Sequence, residues 1–385
     1  MGRKRLMRRV KENKTVLPMT ENNTAVWKQA VAVIALAGIM IIFLLTCALK
    51  WRSIGKNVYH VLRDYDSETT TVWELLEDTI DTFEGNFNNF LWGGKQLSAL
   101  DANLNYLIKG EIASVQVLLG EESWLFYQTV SDGEPLVDYQ GTEYFSDEKM
   151  EQIATNLTEM EAQLAAENIE FLVMVCPNKE QVMDQYMPES IVKESEESRT
   201  DRLVSYLQDC TDLEIVYPID ELQALSTEYD LYYHYDTHWN ALGGYVATQQ
   251  LLAALGQERS ELSERIITSA PLVDHSSGDR DLARIVGMTW RFNDELEYMI
   301  DGVEFTQWDE KEFSNQNAKT QKKIMVIGDS FRIGLKPSLV CEFSEVLIVH
   351  RDEYTPELLE NFSPDVVVLE YVERYSGEMA GFSLK

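Results

Sequence analysis

The pattern of hydrophobic and polar positions changes three times along the chain. Residues 30–49 form an apolar run without a charged side chain, long enough to cross a bilayer as a helix. Apolar positions at helical spacing follow, and from about residue 115 short apolar runs alternate with amphipathic stretches, as in an α/β domain. We therefore expect a basic tail (1–29), a single transmembrane helix (30–50), a helical juxtamembrane stalk or cap (51–112) and an α/β domain (113–385).

Individual elements of the α/β domain are also predicted. Ser146 suits the N-cap of a helix reaching residue 167, and Asn240 the N-cap of a helix that ends near Leu255, before Gly256. Parallel strands with right-handed crossovers are expected. Predicted strands cover 169–176, 213–217, 323–327, 346–349 and 365–371, and further helices cover 196–208 and 356–361. Weak periodicity at about 260–321 predicts an irregular insertion.

The flanks of the apolar run indicate its orientation. Trp27 and Lys28 precede it, and Lys50, Trp51 and Arg52 follow it, as at membrane interfaces. Lysines and arginines crowd residues 3–14, which predicts a cytoplasmic N-terminus and an extracellular C-terminal domain on the cell membrane. A buried core helix is usually shorter, and a cleaved signal peptide would have a shorter apolar region and a small-residue cleavage site.

Net charge and cysteine content limit the kinds of partner and cofactor that the chain is expected to bind. The net charge is −32, and because many basic residues lie in the tail, the remainder is still more acidic. The negative electrostatic field of so acidic a domain argues against nucleic acid as a partner. The same charge is equally explained by the need to keep an exposed domain soluble. Cys47 lies in the apolar run, and the other three cysteines cannot form a complete disulfide framework. The chain contains no C-x-x-C motif, and we expect neither a metal nor another cofactor.

A serine follows the predicted strand 323–327 in the turn Gly328-Asp329-Ser330. Open α/β sheets bind ligands at this carboxyl edge. Glycine permits a tight turn from strand to helix, so the serine hydroxyl could project toward a substrate. The alternative is that Ser330 only caps the following helix.

An aspartate and a histidine stand two residues apart in the segment 235–240. On an extended strand they would share one face, where Asp236 could orient His238 as a general base. A surface histidine beside a helix start is the simpler alternative. His234, Asp236 and His238 also alternate as three metal ligands would, but a metal site leaves the Gly-Asp-Ser turn unexplained.

The order of these two blocks resembles the SGNH-hydrolase-like proteins of the alginate O-acetylation type and the related bacterial DHHW family. Asp-Thr-His-Trp-Asn (236–240) precedes Gly-Asp-Ser (328–330), as in that family. Weaker matches are Ser-Trp-Leu-Phe-Tyr (123–127), Val-Cys-Pro-Asn-Lys (175–179), Gly-Asp-Arg-Asp-Leu (278–282) and the segment 367–374. The resemblance implies an SGNH-like parallel sheet flanked by helices.

The resemblance also implies residue roles. Ser330 would be the nucleophile, His238 the general base and Asp236 the acid that orients it. The Gly-x-Asn-Asp oxyanion block of SGNH esterases is not evident, so the second oxyanion donor stays open. The further candidates for substrate or oxyanion contact are Asp329, Asn240, Trp239, Lys179 and Arg374.

The implied activity is transfer of an acetyl group through an acetyl-serine to a polysaccharide hydroxyl. A membrane-bound O-acyltransferase would supply the acetyl group. A polysaccharide O-acetylesterase would use the same triad, with water as acceptor. The third possibility is a noncatalytic glycan-binding assembly subunit, whose sugar groove would be lined by Tyr232, Tyr233, Tyr235 and Trp239. Those aromatic side chains equally suit a strand core.

Overall fold

The computed structural model describes residues 103, 106–108, 110–112, 114–273, 280–303 and 311–385. The predicted tail and transmembrane helix lie outside these residues, as does most of the predicted stalk or cap. Among the helices that are described, none is both long and apolar enough to span a bilayer.

The elements of the described residues alternate between strands and helices, as predicted. The strands are β1 (Val117–Leu119), β2 (Leu125–Tyr127), β3 (Glu170–Cys176), β4 (Glu214–Val216), β5 (Ile267–Pro271), β6 (Leu296–Ile300), β7 (Glu312–Ser314), β8 (Thr320–Gly328), β9 (Phe343–His350) and β10 (Val366–Val372). The α-helices are α1 (Pro135–Gln140), α2 (Asp147–Ala166), α3 (Lys179–Val182), α4 (Arg199–Cys210), α5 (Ile219–Ser226), α6 (Ala241–Ala254), α7 (Asp281–Ile285), α8 (Arg332–Glu342) and α9 (Pro356–Phe362). Short 3₁₀ helices include Glu121–Ser123, Asp184–Tyr186, Leu262–Glu264, Arg351–Glu353 and Glu373–Ala380.

The central sheet has the order β4-β3-β10-β8-β9-β7. Neighbouring strands from β4 to β9 are parallel, but β7 pairs antiparallel with β9, so the prediction of a purely parallel sheet is wrong at this edge. The predicted irregular insertion supplies β7, and it also contains helix α7 and the antiparallel pair β5 and β6. These elements are short and partly exposed, so their sequence lacks the periodicity that marks a buried strand or helix.

Both faces of the sheet are buried, which explains the uninterrupted apolar runs of its strands. In β10, Val366 and Val368 belong to one hydrophobic cluster, while Val367 and Leu369 belong to the cluster on the opposite face. Helices α6 and α8 contribute to the first cluster, and α2 and α4 to the second. The result is a three-layer α/β/α sandwich.

The predicted caps of α2 and α6 are confirmed. The Ser146 hydroxyl accepts a hydrogen bond from the main-chain N–H of Lys149 at 3.2 Å and caps α2. The Asn240 side-chain oxygen accepts the N–H groups of Leu242 and Gly243 at 2.9 and 3.2 Å and caps α6. Gly256 follows α6 with a φ of +66°, a left-handed conformation that glycine adopts without strain.

A smaller hydrophobic cluster lies beside the sheet. It joins Val117 and Leu125 of the β1–β2 pair to Tyr235, to Leu282 of α7 and to Phe292. The segment that carries Asp236 is therefore packed between a strand pair and a helix.

Candidate active site

Ser330 lies at the carboxyl edge of the sheet, in the turn at the end of strand β8. A side chain at Gly328 would collide with Glu370, because its Cβ would lie 2.7 Å from the Glu370 Cβ. The Asp329 carboxylate accepts the main-chain N–H of Phe331 at 3.0 Å and that of Val372 at 2.7 Å. Asp329 thus holds the turn, and only glycine fits at its first position, residue 328. Ser330, the last residue of the turn, remains half-buried.

Replacement of Gly328 by alanine tests this turn. We expect the added methyl group to displace Glu370 or the turn, to lower the free energy of unfolding by about 1–3 kcal/mol and to reduce activity. Urea unfolding measures the first effect. Gly381→Ala is the matched control, because the nearest atom to its added Cβ is at 3.8 Å. Equal unfolding free energies for the two variants would contradict the packing argument.

The Asp-His segment lies in a turn and not on an extended strand, so this sequence-based expectation was wrong. A single antiparallel bridge joins Tyr232 to Trp239, and the Tyr233 N–H donates to the His238 carbonyl at 3.2 Å. Within the turn, the Asp236 carboxylate accepts the main-chain N–H of His238 at 3.0 Å. Aspartate often bonds its own backbone two residues further on in this way, which explains why a turn wins here over a strand.

Three predicted residues meet at the edge of the sheet. Asp236 Oδ1 lies 2.6 Å from His238 Nδ1, and His238 Nε2 lies 2.6 Å from Ser330 Oγ. The carboxylate only accepts, so Nδ1 carries the proton and donates to Asp236; Nε2 is then free to accept the serine hydroxyl proton. Asp236 is buried, whereas the imidazole remains 29% exposed and within reach of a substrate.

The electrostatics of the pair favour an ionised aspartate. Burial disfavours a charged imidazole, but the charge of Asp236 and its hydrogen bond outweigh burial and raise the pKa of His238. Burial likewise favours a neutral carboxyl group, but His238 and the main-chain donors around Asp236 outweigh it and lower the pKa of Asp236. The arrangement therefore stabilises the imidazolium that forms when the base takes a proton.

Asp281, the first residue of α7, is a fourth member of the cluster that the sequence did not single out. Its carboxylate accepts the N–H of Thr237 at 2.8 Å and the Thr237 hydroxyl at 2.5 Å. Its own main-chain N–H donates to Asp236 Oδ2 at 2.9 Å. Burial and the nearby charge of Asp236 raise the pKa of Asp281 to about 6. The sequence did contain a signal for Asp281, because this residue lies in the Gly-Asp-Arg-Asp-Leu block (278–282), one of the weaker motif matches to the family.

We expect Asp281→Asn to lower kcat/KM about tenfold, equivalent to ~1.4 kcal/mol. The main-chain bond to Asp236 survives in this variant, so the losses are the charge and one of the two oxygens that accept hydrogen bonds from Thr237. Because the charge of Asp281 helps to raise the pKa of His238, its removal lowers that pKa. His238 must be neutral to act as a base, so the rising limb of the pH–rate profile should move to lower pH. Asp301→Asn, whose carboxylate accepts the N–H of Ile266, is the control; an unmoved acid limb in Asp281→Asn would refute the assignment.

Three further candidate residues form hydrogen bonds that hold the backbone around the site in place. The Trp239 indole N–H donates to the Phe331 carbonyl at 3.2 Å and so ties the Asp-His turn to the serine turn. Asn240 is buried as the cap of α6, and Asp329 holds the serine turn.

The last two candidates follow the carboxyl ends of two neighbouring strands, Lys179 after β3 and Arg374 after β10. Lys179 is buried, and its ammonium donates to main-chain carbonyls. Arg374 is half-buried and donates to the Asn178 side-chain oxygen at 3.2 Å, with its guanidinium carbon 5.5 Å from the Phe331 ring centroid. Asn178 itself is fully buried, and its amide nitrogen has no hydrogen-bond partner among the described residues. It was missed, although the Val-Cys-Pro-Asn-Lys block (175–179) contains it.

The aromatic residues considered for a sugar groove are mainly internal. The Tyr232 hydroxyl donates to the Pro177 carbonyl at 2.7 Å, and the ring is fully buried. Tyr235 packs in the small hydrophobic cluster, and Trp239 is buried against Phe331. The Tyr233 hydroxyl donates to Glu297. Their places agree with the alternative that they form core.

The carboxylates and imidazole also form a possible metal-ligand set, but not the one the sequence offered. Asp236, His238 and Asp281 bring ligand atoms within 4.8 Å of one another. His234 instead contacts Asp230 through Nε2 at 3.1 Å. An ion bound to the set through His238 Nδ1 would have to replace the 2.6 Å hydrogen bond to Asp236.

The α/β/α sandwich with a serine at the end of a central strand and an Asp-His pair beside it defines an SGNH-hydrolase-like protein. The model of a family described as "SGNH hydrolase-like domain, acetyltransferase AlgX" matches residues 117–348, more than half of the chain. The chain belongs to this acetyltransferase family, which confirms the resemblance inferred from its motifs.

Several solved structures are similar to the chain at low sequence identity. A DHHW family protein from Eubacterium siraeum is 13% identical, with 69% of this chain and 97% of that chain covered and a TM-score of 0.50. PatB1 from Bacillus cereus is 16% identical, with 69% and 99% covered and a TM-score of 0.49. AlgX from Pseudomonas aeruginosa is 15% identical, with 74% and 68% covered and a TM-score of 0.43. No curated protein matches the chain in sequence.

Proposed function

We propose that this protein is an extracytoplasmic O-acetyltransferase that acetylates a polysaccharide through an acetyl-Ser330 intermediate. The observation that carries the proposal is the continuous hydrogen-bond path from Asp236 through His238 to Ser330, in a member of an acetyltransferase family. A nucleophile bonded to a base that is itself oriented by a third group is the arrangement that covalent acyl transfer requires.

In the first half-reaction, Ser330 Oγ attacks the carbonyl carbon of an acetyl donor while His238 Nε2 takes the hydroxyl proton. The resulting tetrahedral intermediate collapses, the bond to the donor breaks, and His238 returns the proton to the leaving group. Asp236 stabilises the transient imidazolium and keeps Nε2 directed at the serine. Ser330 then carries the acetyl group as an ester.

In the second half-reaction, a sugar hydroxyl takes the place of the leaving group. His238 accepts its proton, the sugar oxygen bonds to the acetyl carbon, and the ester bond to Ser330 breaks. The proton passes from His238 back to Ser330 Oγ, which restores the starting state. Water in the place of the sugar would give hydrolysis, which is the esterase alternative.

The oxyanion that forms in each half-reaction needs hydrogen-bond donors. We assign this task to Arg374, with the Asn178 amide beside it. Arg374 holds the Asn178 oxygen, which leaves the amide nitrogen available as a donor. The assignment is supported by the Arg374 guanidinium carbon, which lies 5.5 Å from the ring centroid of Phe331, the residue that follows Ser330.

The remaining parts of the proposal rest on the sequence. Residues 30–50 would anchor the protein with the N-terminus in the cytoplasm, and a membrane-bound O-acyltransferase would supply acetyl groups outside the cell. The acidic field of the C-terminal domain argues against nucleic acid as a partner.

The test uses the full-length protein in detergent with 4-nitrophenyl acetate as the acetyl donor. A panel of neutral and acidic oligosaccharides is added, and the products are analysed by mass spectrometry. Acetylated oligosaccharide that appears with nitrophenol release supports the transferase. Release without acetylated sugar indicates an esterase, and a protein that binds oligosaccharide but releases no nitrophenol indicates the noncatalytic alternative. Activity abolished by a chelator would indicate the metal site.

A further inference from the structure

Lys179 is a buried charged residue to which the proposed reaction gives no task. It begins helix α3, which follows β3 after Pro177 and Asn178, and is only 2% exposed. Its ammonium lies above two aromatic rings, 4.9 Å from the centroid of Trp124 and 5.1 Å from that of Phe126. A lysine is seldom buried to this extent unless its charge is bonded, so its partners indicate its function.

Those partners are three main-chain carbonyls. Lys179 Nζ donates to the carbonyls of Leu125 at 2.6 Å, His234 at 2.8 Å and Asp236 at 3.1 Å. The Leu125 N–H donates to the same His234 carbonyl at 2.9 Å. One side chain at the start of α3 therefore joins strand β2 to the turn that carries Asp236 and His238.

All three N–H groups of the ammonium are used in this way, so the bonds depend on its charged form. Burial lowers the pKa of Lys179 to about 8, while the carboxylates of Glu295, Glu180, Asp236 and Asp281 act in the opposite direction. The ammonium is consequently still the main form at pH 7.

We propose that Lys179 is a positioning residue, which holds the Asp236–His238 turn at the distance from Ser330 that proton transfer needs. The inference rests on the proposed function, because it assumes that His238 activates Ser330. The ammonium contacts the main chain of Asp236, and Asp236 in turn holds both the backbone and the ring of His238. A shift of about 1 Å in a base can reduce a rate by about 100-fold, so the loss of this tie should affect the chemical step.

The experiment compares Lys179→Met with Lys336→Met in the full-length protein. Lys336 is the matched control, because it is equally buried and lies 5.0 Å from the centroid of the Phe313 ring, in α8. The probe is phenylmethylsulfonyl fluoride. Ser330 Oγ bonds to its sulfur, the S–F bond breaks, fluoride leaves and the serine proton passes to His238. The rate of labelling, located by peptide mass spectrometry, measures serine activation without an acetyl donor.

We expect Lys179→Met to slow Ser330 labelling at least about tenfold, and Lys336→Met to change it less than about threefold. With 4-nitrophenyl acetate, kcat should fall while KM stays within about twofold, since the lysine does not face the substrate. The chain has five histidines, so the downfield Nδ1 proton of His238 can be assigned by its absence in His238→Ala. This NMR signal should shift or broaden in Lys179→Met and stay unchanged in Lys336→Met.

A folded Lys179→Met variant with wild-type labelling and an unchanged His238 signal overturns the inference. Where this variant does not fold, Lys179→Gln, which keeps two N–H donors on a shorter side chain, is measured in the same way with the same expectations. A wild-type protein whose Ser330 is not labelled argues against the proposed function instead. The NMR comparison then still decides whether Lys179 positions His238.

Discussion

Ser330→Ala is expected to lower acetyl transfer at least about 10³-fold while leaving the fold intact. The variant removes the only oxygen that the proposed mechanism can acylate, and residual activity would come from substrate binding and oxyanion contacts alone. Incubation with 4-nitrophenyl acetate followed by mass spectrometry should find no acetyl group on the peptide that contains residue 330. Nitrophenol release should also lose its dependence on His238.

A matched control lies in the same sheet. Ser344 is at the start of β9, at the opposite edge from Ser330, and its hydroxyl donates to the Gln321 carbonyl at 2.9 Å. Ser344→Ala should keep near wild-type activity. A Ser330→Ala variant that retains most of its transferase activity would exclude an acetyl-Ser330 intermediate. The reaction would then depend on a bound metal or on another nucleophile.

Asp236→Asn is expected to reduce kcat about 10³- to 10⁴-fold. An amide at this position presents a donor or a weaker acceptor to His238 Nδ1, so the ring is no longer held with its proton on Nδ1 and its free electron pair toward Ser330. The main-chain turn can survive, because an amide oxygen in the place of Oδ1 still accepts the N–H of His238, although it is a neutral and weaker acceptor for Nδ1. The change therefore acts on tautomer and charge more than on backbone position.

The pH profile separates this effect from simple misfolding. Asp236 raises the pKa of His238, so its neutralisation lowers that pKa. Activity needs neutral His238; hence the acid limb of the remaining activity should move to lower pH as the maximum falls. Asp230→Asn is the control, since Asp230 contacts a different histidine, His234, at 3.1 Å. An acid limb that stays in place in Asp236→Asn would show that Asp236 does not act through His238.

Local sequence signals were sufficient for the α/β layers and for three residues that the fold brings together, Asp236, His238 and Ser330. Strands buried on both faces produce continuous apolar runs, and Ser146 and Asn240 were correct as helix caps because capping depends on one side chain and its next few residues. Gly328 similarly marked the tight turn before Ser330. Local chemistry could thus be recognised without the tertiary structure.

Contacts made across the fold could not be recognised in this way. The antiparallel edge strand β7 and the bond from the Asp281 N–H to Asp236 depend on segments that are distant in sequence. The turn at Asp236 was taken for a strand because alternating residues fit both, and a side chain bonded to its own backbone decided between them. Lys179 appeared as a substrate contact, while its three bonds to carbonyls become apparent only when β2, β3 and the turn are brought together.

The place of β10 in the sheet also determines when the site can form during folding. This strand comes late in the chain but lies between β3 and β8 in the sheet. Its first residue, Val366, pairs with Glu170 at the start of β3. Until it inserts, β3 presents an open edge that invites aggregation, and the closure of so long a loop is slow. The N–H of Val372 also reaches the Asp329 carboxylate, so the serine turn is completed by the same event. We therefore expect a nascent chain that already contains Ser330, His238 and Asp236 to stay inactive until β10 has docked.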